Sequence, residues 1–539
     1  MSETRRRKFW GWGWEDEFPE AEQRRKIAEL LGARFEVPIP EEQPIPTLAS
    51  INLPKPRIAP PAALADYSFT DPFERASHTY GKAFRDIVRA FRRDFSAAPD
   101  FVVTPPNEEA LERTLEWCTN QRVAAIPYGG GSSVCAGVEG RNLDDYAGVV
   151  SLDLRRFDKI LEIDRTSRAA RIQGGIFGPA LEDGLRPQGL TLRHYPQSFE
   201  FSTLGGWIAT RSGGHYATQY THIDEFVESL RMITPAGAWE SRRLPGSGAG
   251  TSPDRMAIGS EGILGIVTEA WMRLQDRPRL RASAAVRFDD FYEGAEAVRA
   301  IGQSGLNPSN LRLVDAGEAL MTGAGDGSTN LLLVGFESAD HALDAWIKRA
   351  LEICRDFGGS YPEDAVRTRS DNDAGPKGAT GATGAWRDSF LRAPYLRDSL
   401  VALGFISETF ETAVTWDQFR DFHRGMRNRI EDALARICGG GAITCRFTHV
   451  YPDGPAPYFT IMAPSRAASQ LEQWDEIKAV SMDAIVELGG TITHHHAVGR
   501  DHRPGYDRQR PDLFARALRA AKRELDPAGI LNPGVLIDP

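Results

Sequence analysis

Cysteine is scarce. The five in 539 residues (Cys118, Cys135, Cys354, Cys438 and Cys445) are too scattered for a disulfide framework or a paired-cysteine metal site, and they fit a reducing compartment. No apolar run approaches the ~20 residues of a membrane span. The start, Arg5-Arg6-Arg7-Lys8-Phe9-Trp10, has the basic opening of a twin-arginine export signal. It continues as Gly11-Trp12-Gly13-Trp14-Glu15-Asp16-Glu17, without an apolar core, so a cytoplasmic location is expected. Positive charge is also in deficit: 64 Lys and Arg against 74 Asp and Glu give a net charge of −10. A broad electrostatic grip on nucleic acid is not expected.

Hydrophobic residues make up 41% of the chain and charged residues 26%, enough apolar material for more than one core. Residues 1–95 read as a helical and Pro-rich wrapping segment. Eight prolines between Pro38 and Pro61 make an extended traverse, with helices expected over 20–31 and 83–95. Residues 96–279 have short strands, Gly turns and helices, an α+β texture. A second α+β domain is read over 280–500, with strands near 284–288, 311–314, 330–336, 442–451 and 458–462. Residues 371–384 are low-complexity and expected to be mobile, and 501–539 form a C-terminal helix and tail.

Pro127-Tyr128-Gly129-Gly130-Gly131-Ser132-Ser133 directly follows an apolar strand, Ala124 to Pro127. Three consecutive glycines clear a tight turn of side chains, so that backbone N–H groups and two hydroxyls can converge on an anion; a diphosphate is the natural ligand. This is not the GxGxxG pattern before a long helix, which weakens a nicotinamide reading. Further segments follow in order: Gln197-Ser198-Phe199-Glu200-Phe201-Ser202-Thr203, then Thr210-Arg211-Ser212-Gly213, then Glu261-Gly262-Ile263-Leu264-Gly265-Ile266-Val267. The C-terminal Leu525-Asp526-Pro527 to Asn532-Pro533-Gly534 closes the set.

In this order and spacing the segments resemble the vanillyl-alcohol-oxidase/p-cresol-methylhydroxylase flavoproteins. The resemblance implies an α+β fold: a two-subdomain PCMH-type FAD-binding domain (96–279), an α+β cap domain over the flavin (280–500), and a C-terminal segment (501–539) returning to the FAD domain. All of the segments from Pro127 to Val267 just named become candidate cofactor-binding residues. Ser132 and Ser133 follow the glycines where some members tether the flavin through His, and Cys135 has packed neighbours, so non-covalent FAD is expected.

Within that superfamily the chain is most similar to the alkyldihydroxyacetonephosphate synthases, flavoenzymes of ether-lipid synthesis. The similarity includes Lys8-Phe9-Trp10-Gly11-Trp12-Gly13, Asn310-Leu311-Arg312-Leu313-Val314-Asp315, Thr444-Cys445-Arg446-Phe447-Thr448-His449 and Thr493-His494-His495-His496-Ala497-Val498-Gly499. It implies exchange of the acyl chain of acyl-dihydroxyacetone phosphate for a long-chain alcohol. Tyr458, His494, His495, His496 and Arg312 are implied as catalytic residues and Arg446 as the substrate-binding arginine. It also implies a lipid-like substrate and a homodimer. The alternative is an FAD-linked oxidase or dehydrogenase acting on an alcohol or 2-hydroxyacid. Three adjacent histidines on a turn can converge at least in part, but no partnering Cys or HxxxH accompanies them, so no metal is expected. Cationic neighbours are expected to lower the pKa of Tyr458. Peripheral membrane contact is one reading of Trp10, Trp12 and Trp14; internal packing is the other.

Overall fold

Short apolar runs punctuated by Pro and Gly become the strands of four sheets in the computed structural model, which describes residues 5–39, 41–362, 364, 366–370 and 381–538. The first sheet holds β1 (Ser68–Phe69), β2 (Phe101–Val103), β3 (Val123–Tyr128) and β4 (Gly148–Asp153), in spatial order β1-β2-β4-β3. β2 and β3 run parallel to β4. Every residue of β2 and β4 is buried, which is why these strands read as continuous apolar runs rather than alternating ones. The crossover helix Glu108–Gln121 starts where its sequence says: the Asn107 side chain accepts the Ala110 N–H. The C-terminal stretch docks on this sheet, Ala125 N–H donating to Ile530 O at 2.8 Å and Asn532 N–H to Ala125 O at 3.0 Å.

Next come β5 (Ile160–Asp164), β6 (Ala169–Gln173), β7 (Leu190–Thr191), β8 (Val227–Thr234), β9 (Gly237–Glu240), β10 (Ile266–Arg273) and β11 (Gln275–Asp276). Five of them form an antiparallel sheet, β5-β6-β10-β8-β9, while β7 and β11 make a ribbon.

The third large sheet positions the site. It contains β12 (Leu280–Phe288), β13 (Asn310–Val314), β14 (Asn330–Ser338), β15 (Arg367–Ser370), β16 (Phe405–Glu411), β17 (Ala442–Val450) and β18 (Pro455–Pro464), in order β15-β12-β14-β13-β17-β18-β16. Alternation along the strands sorts its two faces. Leu311, Leu313, Cys445, Phe447, Phe459 and Phe410 enter the largest hydrophobic core, with the helices Phe291–Gln303, Asp344–Asp356, Trp416–Cys438 and Gln470–Glu487. The residues between them, Arg312, Arg446, Tyr458 and Glu411, face the other way.

Elements of this region that escaped the sequence reading include β15, the short helix Ala316–Met321, β16, Gln470–Glu487 and Gly381–Ala402. The last carries Pro394 inside the helix, ordinarily a breaker, and follows the low-complexity stretch. Residues 371–380 of that stretch lie outside the described residues, whereas 381–384 are helical. The tryptophan cluster is packing. Trp10 and Trp12 are each 6% exposed. Trp10 meets Phe18 and Phe91, while Trp12 and Trp14 set their rings edge-on to Phe201 at 5.5 and 5.3 Å. Burial removes Trp10 and Trp12 as a membrane contact, while the half-buried Trp14 donates its indole N–H to Glu200.

Candidate active site

The glycine turn after β3 meets the other candidate flavin segments. A Cβ on Gly129 would run into the Thr203 hydroxyl, one on Gly130 into the Phe201 carbonyl, and one on Gly262 into the Pro127 ring. Among the described residues, the N–H groups of Gly130, Gly131, Ser132 and Ser133 donate to no protein acceptor. A turn of free donors is what a diphosphate requires, so the residues present fit FAD. Thr203 caps the helix Leu204–Thr210 through Gly206 N–H, and Arg7 reaches in to donate to Gly130 O at 2.8 Å. Gly130→Ala is expected to destabilise this junction by about 2–4 kcal/mol and to release the flavin, because the clash is with backbone. Flavin absorbance per protein after desalting measures it.

The remaining candidates divide by surroundings. Tyr128 donates to Ser77 O at 3.1 Å. Ser198 and Ser202 bond each other at 3.0 Å, and Phe199 stacks on Tyr195 at 4.5 Å. Glu200 accepts from Trp14 Nε1 at 2.6 Å. Thr210 bonds back into its own helix, Arg211 turns to Asp224 at 3.2 Å, and the Ser212 hydroxyl lies 2.8 Å from His194 Nε2. Ile263, Leu264, Ile266 and Val267 put their side chains into hydrophobic cores, which leaves their backbone for any cofactor contact. Glu261 has a bridging place: its carboxylate accepts Val498 and Gly499 N–H, each at 2.8 Å, and so ties the FAD-domain segment to the histidine loop.

The polar face of the third sheet is built by register. Glu411 of β16 lies opposite Tyr458 of β18, which lies opposite Arg446 of β17. The Arg446 guanidinium therefore sits 3.9 Å from the centre of the Tyr458 ring, and it also pairs with the buried Glu318. Arg312, on β13, donates to Thr448 O at 3.3 Å, lies 3.4 Å from His215 Nδ1 and stacks 4.0 Å over Trp386. Asp315, its neighbour in sequence, turns instead to Arg427 and to Cys445 N–H.

The histidine triplet crosses this face on a turn wrapped around the Glu411 carboxylate. That carboxylate accepts Thr493 Oγ1–H at 2.6 Å and the amides of His494, His495 (3.2 Å) and His496 (2.8 Å). His495 and His496 place their rings 6.1 and 5.7 Å from that of Tyr458. His494 Nε2 lies 3.0 Å from Tyr451 Oη and 3.2 Å from His222 Nε2. His449 joins from β17, its ring 5.2 and 5.1 Å from those of His494 and His495.

Burial dominates the electrostatics. It holds His449, His494 and His495 well below the usual histidine range and His496 at about 3, so the cluster is neutral at pH 7. Tyr458 departs from expectation. Arg446 and Thr409 favour its phenolate, but burial outweighs them and its pKa is raised. Arg312 is lowered to about 9 by burial and by Arg446.

Away from the cluster, burial lowers His194, His423 and His502 to about 3 each, from 6.5. Between these values the unfolded chain binds protons that the folded chain refuses, so stability falls as pH drops through that window. Each histidine is expected to cost about 2 kcal/mol on going from pH 7 to pH 5. Glu261, raised by burial to about 7, and Asp86 and Asp315, each raised to about 6, act in the opposite sense, but the four cluster histidines add to the side of the three named here. A melting temperature that holds steady from pH 7 to 5 would contradict the balance.

Sequence reasoning missed His194, His215, His222 and His449 as site residues. The first three lie within or beside the segments flagged for flavin, a signal that was available.

Two family models match the chain: one described as an FAD binding domain, over residues 99–241, and one as the C-terminal domain of FAD linked oxidases, over residues 277–536. The protein is thus an FAD-dependent enzyme of the PCMH-type fold. The alkyldihydroxyacetonephosphate synthase of Dictyostelium discoideum is 32% identical over 493 residues, which cover 88% of this chain and 79% of that protein. The chain belongs to the alkyldihydroxyacetonephosphate synthase family. A solved alkyldihydroxyacetonephosphate synthase superposes with a TM-score of 0.80 at 26% identity, covering 98% of each chain. A more distant relative is a glycolate oxidase subunit of Bacillus subtilis, 26% identical over 82% of this chain and 89% of that one. p-Cresol methylhydroxylase shares the fold, with a TM-score of 0.67 at 16% identity over 88% of this chain and 95% of that one.

Proposed function

We propose that the enzyme exchanges the acyl chain of acyl-dihydroxyacetone phosphate for a long-chain alcohol, releasing a fatty acid and forming the ether bond. The observation that carries this reading is the row Glu411–Tyr458–Arg446 beneath the three imidazoles. Bound FAD supplies an electrophilic isoalloxazine and ends each turnover oxidised. The chain's own groups handle protons and charge. Tyr458 is a phenol at neutral pH, so it must pass its proton on before it can take one from the substrate's C1. Neutral His495 and His496 beside it are suitable acceptors, and Arg446 over the ring steadies the phenolate. The same imidazoles can then donate to the departing and entering oxygens. Arg312 and Arg446 supply positive charge for the phosphate, Arg446 sharing its own with Glu318.

Held without a covalent bond, the FAD is expected to leave on acid or heat denaturation. The Cys135 thiol donates to His496 O at 3.1 Å and burial pushes its pKa up, which suits a packed thiol rather than a flavin tether. A cytoplasmic homodimer, without nucleic acid and with loose membrane contact through a face other than the tryptophan cluster, completes the proposal. No helix among the described residues is long and apolar enough to cross a membrane.

The deciding experiment mixes enzyme and acyl-dihydroxyacetone phosphate anaerobically, without alcohol. The expected result is loss of the oxidised flavin spectrum with release of fatty acid, then recovery of the spectrum and ether formation when hexadecanol is added. Bleaching by simple 2-hydroxyacids, reversed by oxygen alone, would instead establish the oxidoreductase reading suggested by the glycolate oxidase relative.

A further inference from the structure

The histidine cluster has a geometry that proton handling does not require. One ring nitrogen from each of His449, His494 and His495 lies within 4.8 Å of the other two. His449, 2% exposed, donates its Nε2–H to Gly214 O at 2.9 Å, which leaves the lone pair on Nδ1. That Nδ1 is buried and meets no hydrogen-bond partner among the described residues. His494 and His495 turn their Nδ1 atoms toward each other at 3.0 Å, while the outer nitrogen of His494 is anchored by Tyr451 and His222. One nitrogen of each ring converges on the others, and the second is held on His449 by a carbonyl and on His494 by a phenol and a fourth imidazole, as in metal-ligating histidines.

We propose that His449, His494 and His495 form a binding site for one divalent transition-metal ion of the zinc class. An all-imidazole donor set suits zinc, cobalt or nickel and not the oxygen-seeking magnesium or calcium. Three protein ligands leave a coordination position for water or a substrate oxygen. The Glu411 carboxylate, 3.6 Å from His495 Nδ1, offsets part of the ion's charge. The inference goes beyond the transferase reading and stands on nitrogen geometry alone; with the ion bound, His495 keeps its second nitrogen protonated and the proton acceptor beside Tyr458 is His496.

The test uses tag-free, FAD-loaded protein that is stripped with a chelator, reloaded with zinc or cobalt(II), and desalted. The expected result is about one ion per chain by elemental analysis, with the visible absorption of nitrogen-ligated cobalt. His449→Ala and His495→Ala should each weaken zinc binding about 10- to 100-fold. His341→Ala, at an exposed histidine paired with Asp340, should bind as the wild type does. Flavin absorbance reports whether each variant is folded. If wild-type protein retains no ion after reloading, or the His449 and His495 variants bind as tightly as it does, the site does not exist. The wild-type measurement is decisive even if a variant fails to fold.

Discussion

Tyr458→Phe is expected to yield a folded, yellow protein whose turnover falls by about 10²- to 10⁴-fold, the usual reach of a positioned proton-transfer group. The side chain is 6% exposed, and its ring is held between the Arg446 guanidinium and the rings of His495 and His496. Phenylalanine keeps that ring in place. It removes the one atom that can exchange a proton, and the Thr409 hydroxyl that loses its partner is only half-buried and can turn to water. Stability and flavin content should therefore stay near wild type. Steady-state rates together with FAD content and a melting curve separate the two effects, and a variant with full turnover would remove Tyr458 from the chemistry.

The parts of the site that were legible in the sequence obey local rules. Arg312 between Leu311 and Leu313 shows a strand with one apolar and one polar face, and the structure gives it that alternation. The glycine turn, by itself equally a surface loop, gained its reading from the motif segments that follow it in order, and the structure brings it against two of them, at Thr203 and Gly262. What was not legible depends on departures from period or on long-range register. Simple alternation would put His449 on the face opposite Arg446. A bulge between Phe447 and His449 slips the register and turns His449 into the cluster.

His222 sits 272 residues from His494 and follows Thr221, whose φ of 60° no periodic pattern foretells. Arg446 looked available for an anion because its partner, Glu318, is 128 residues away. The protonation states followed the same logic. Sequence shows which charges could approach Tyr458 but not that burial would outweigh them and leave the imidazoles neutral. The fold class was readable because motif order survives where individual contacts cannot be inferred.

Glu411→Ala is expected to cost about 3–5 kcal/mol of stability and nearly all activity, because one buried carboxylate organises the entire histidine turn. Its side chain is 1% exposed. It accepts from the Thr493 hydroxyl and from three successive amides, those of His494, His495 and His496. Alanine leaves those donors without an acceptor, at about 1–3 kcal/mol for each that stays buried, less whatever the loop regains by rearranging toward water. Rearrangement is the reason activity should suffer more than stability: the imidazoles lose their aim on Tyr458 even where the chain remains folded. Glu411→Gln is the informative companion. It preserves size and one acceptor oxygen but turns an amide NH₂ toward backbone donors, so an intermediate loss is expected. The candidate flavin segments lie elsewhere in the chain, so FAD content should outlast activity in both variants. Urea melts, FAD content and turnover measured on the three proteins test the account, and an alanine variant that melts and turns over like wild type would show that the triplet holds its turn without Glu411.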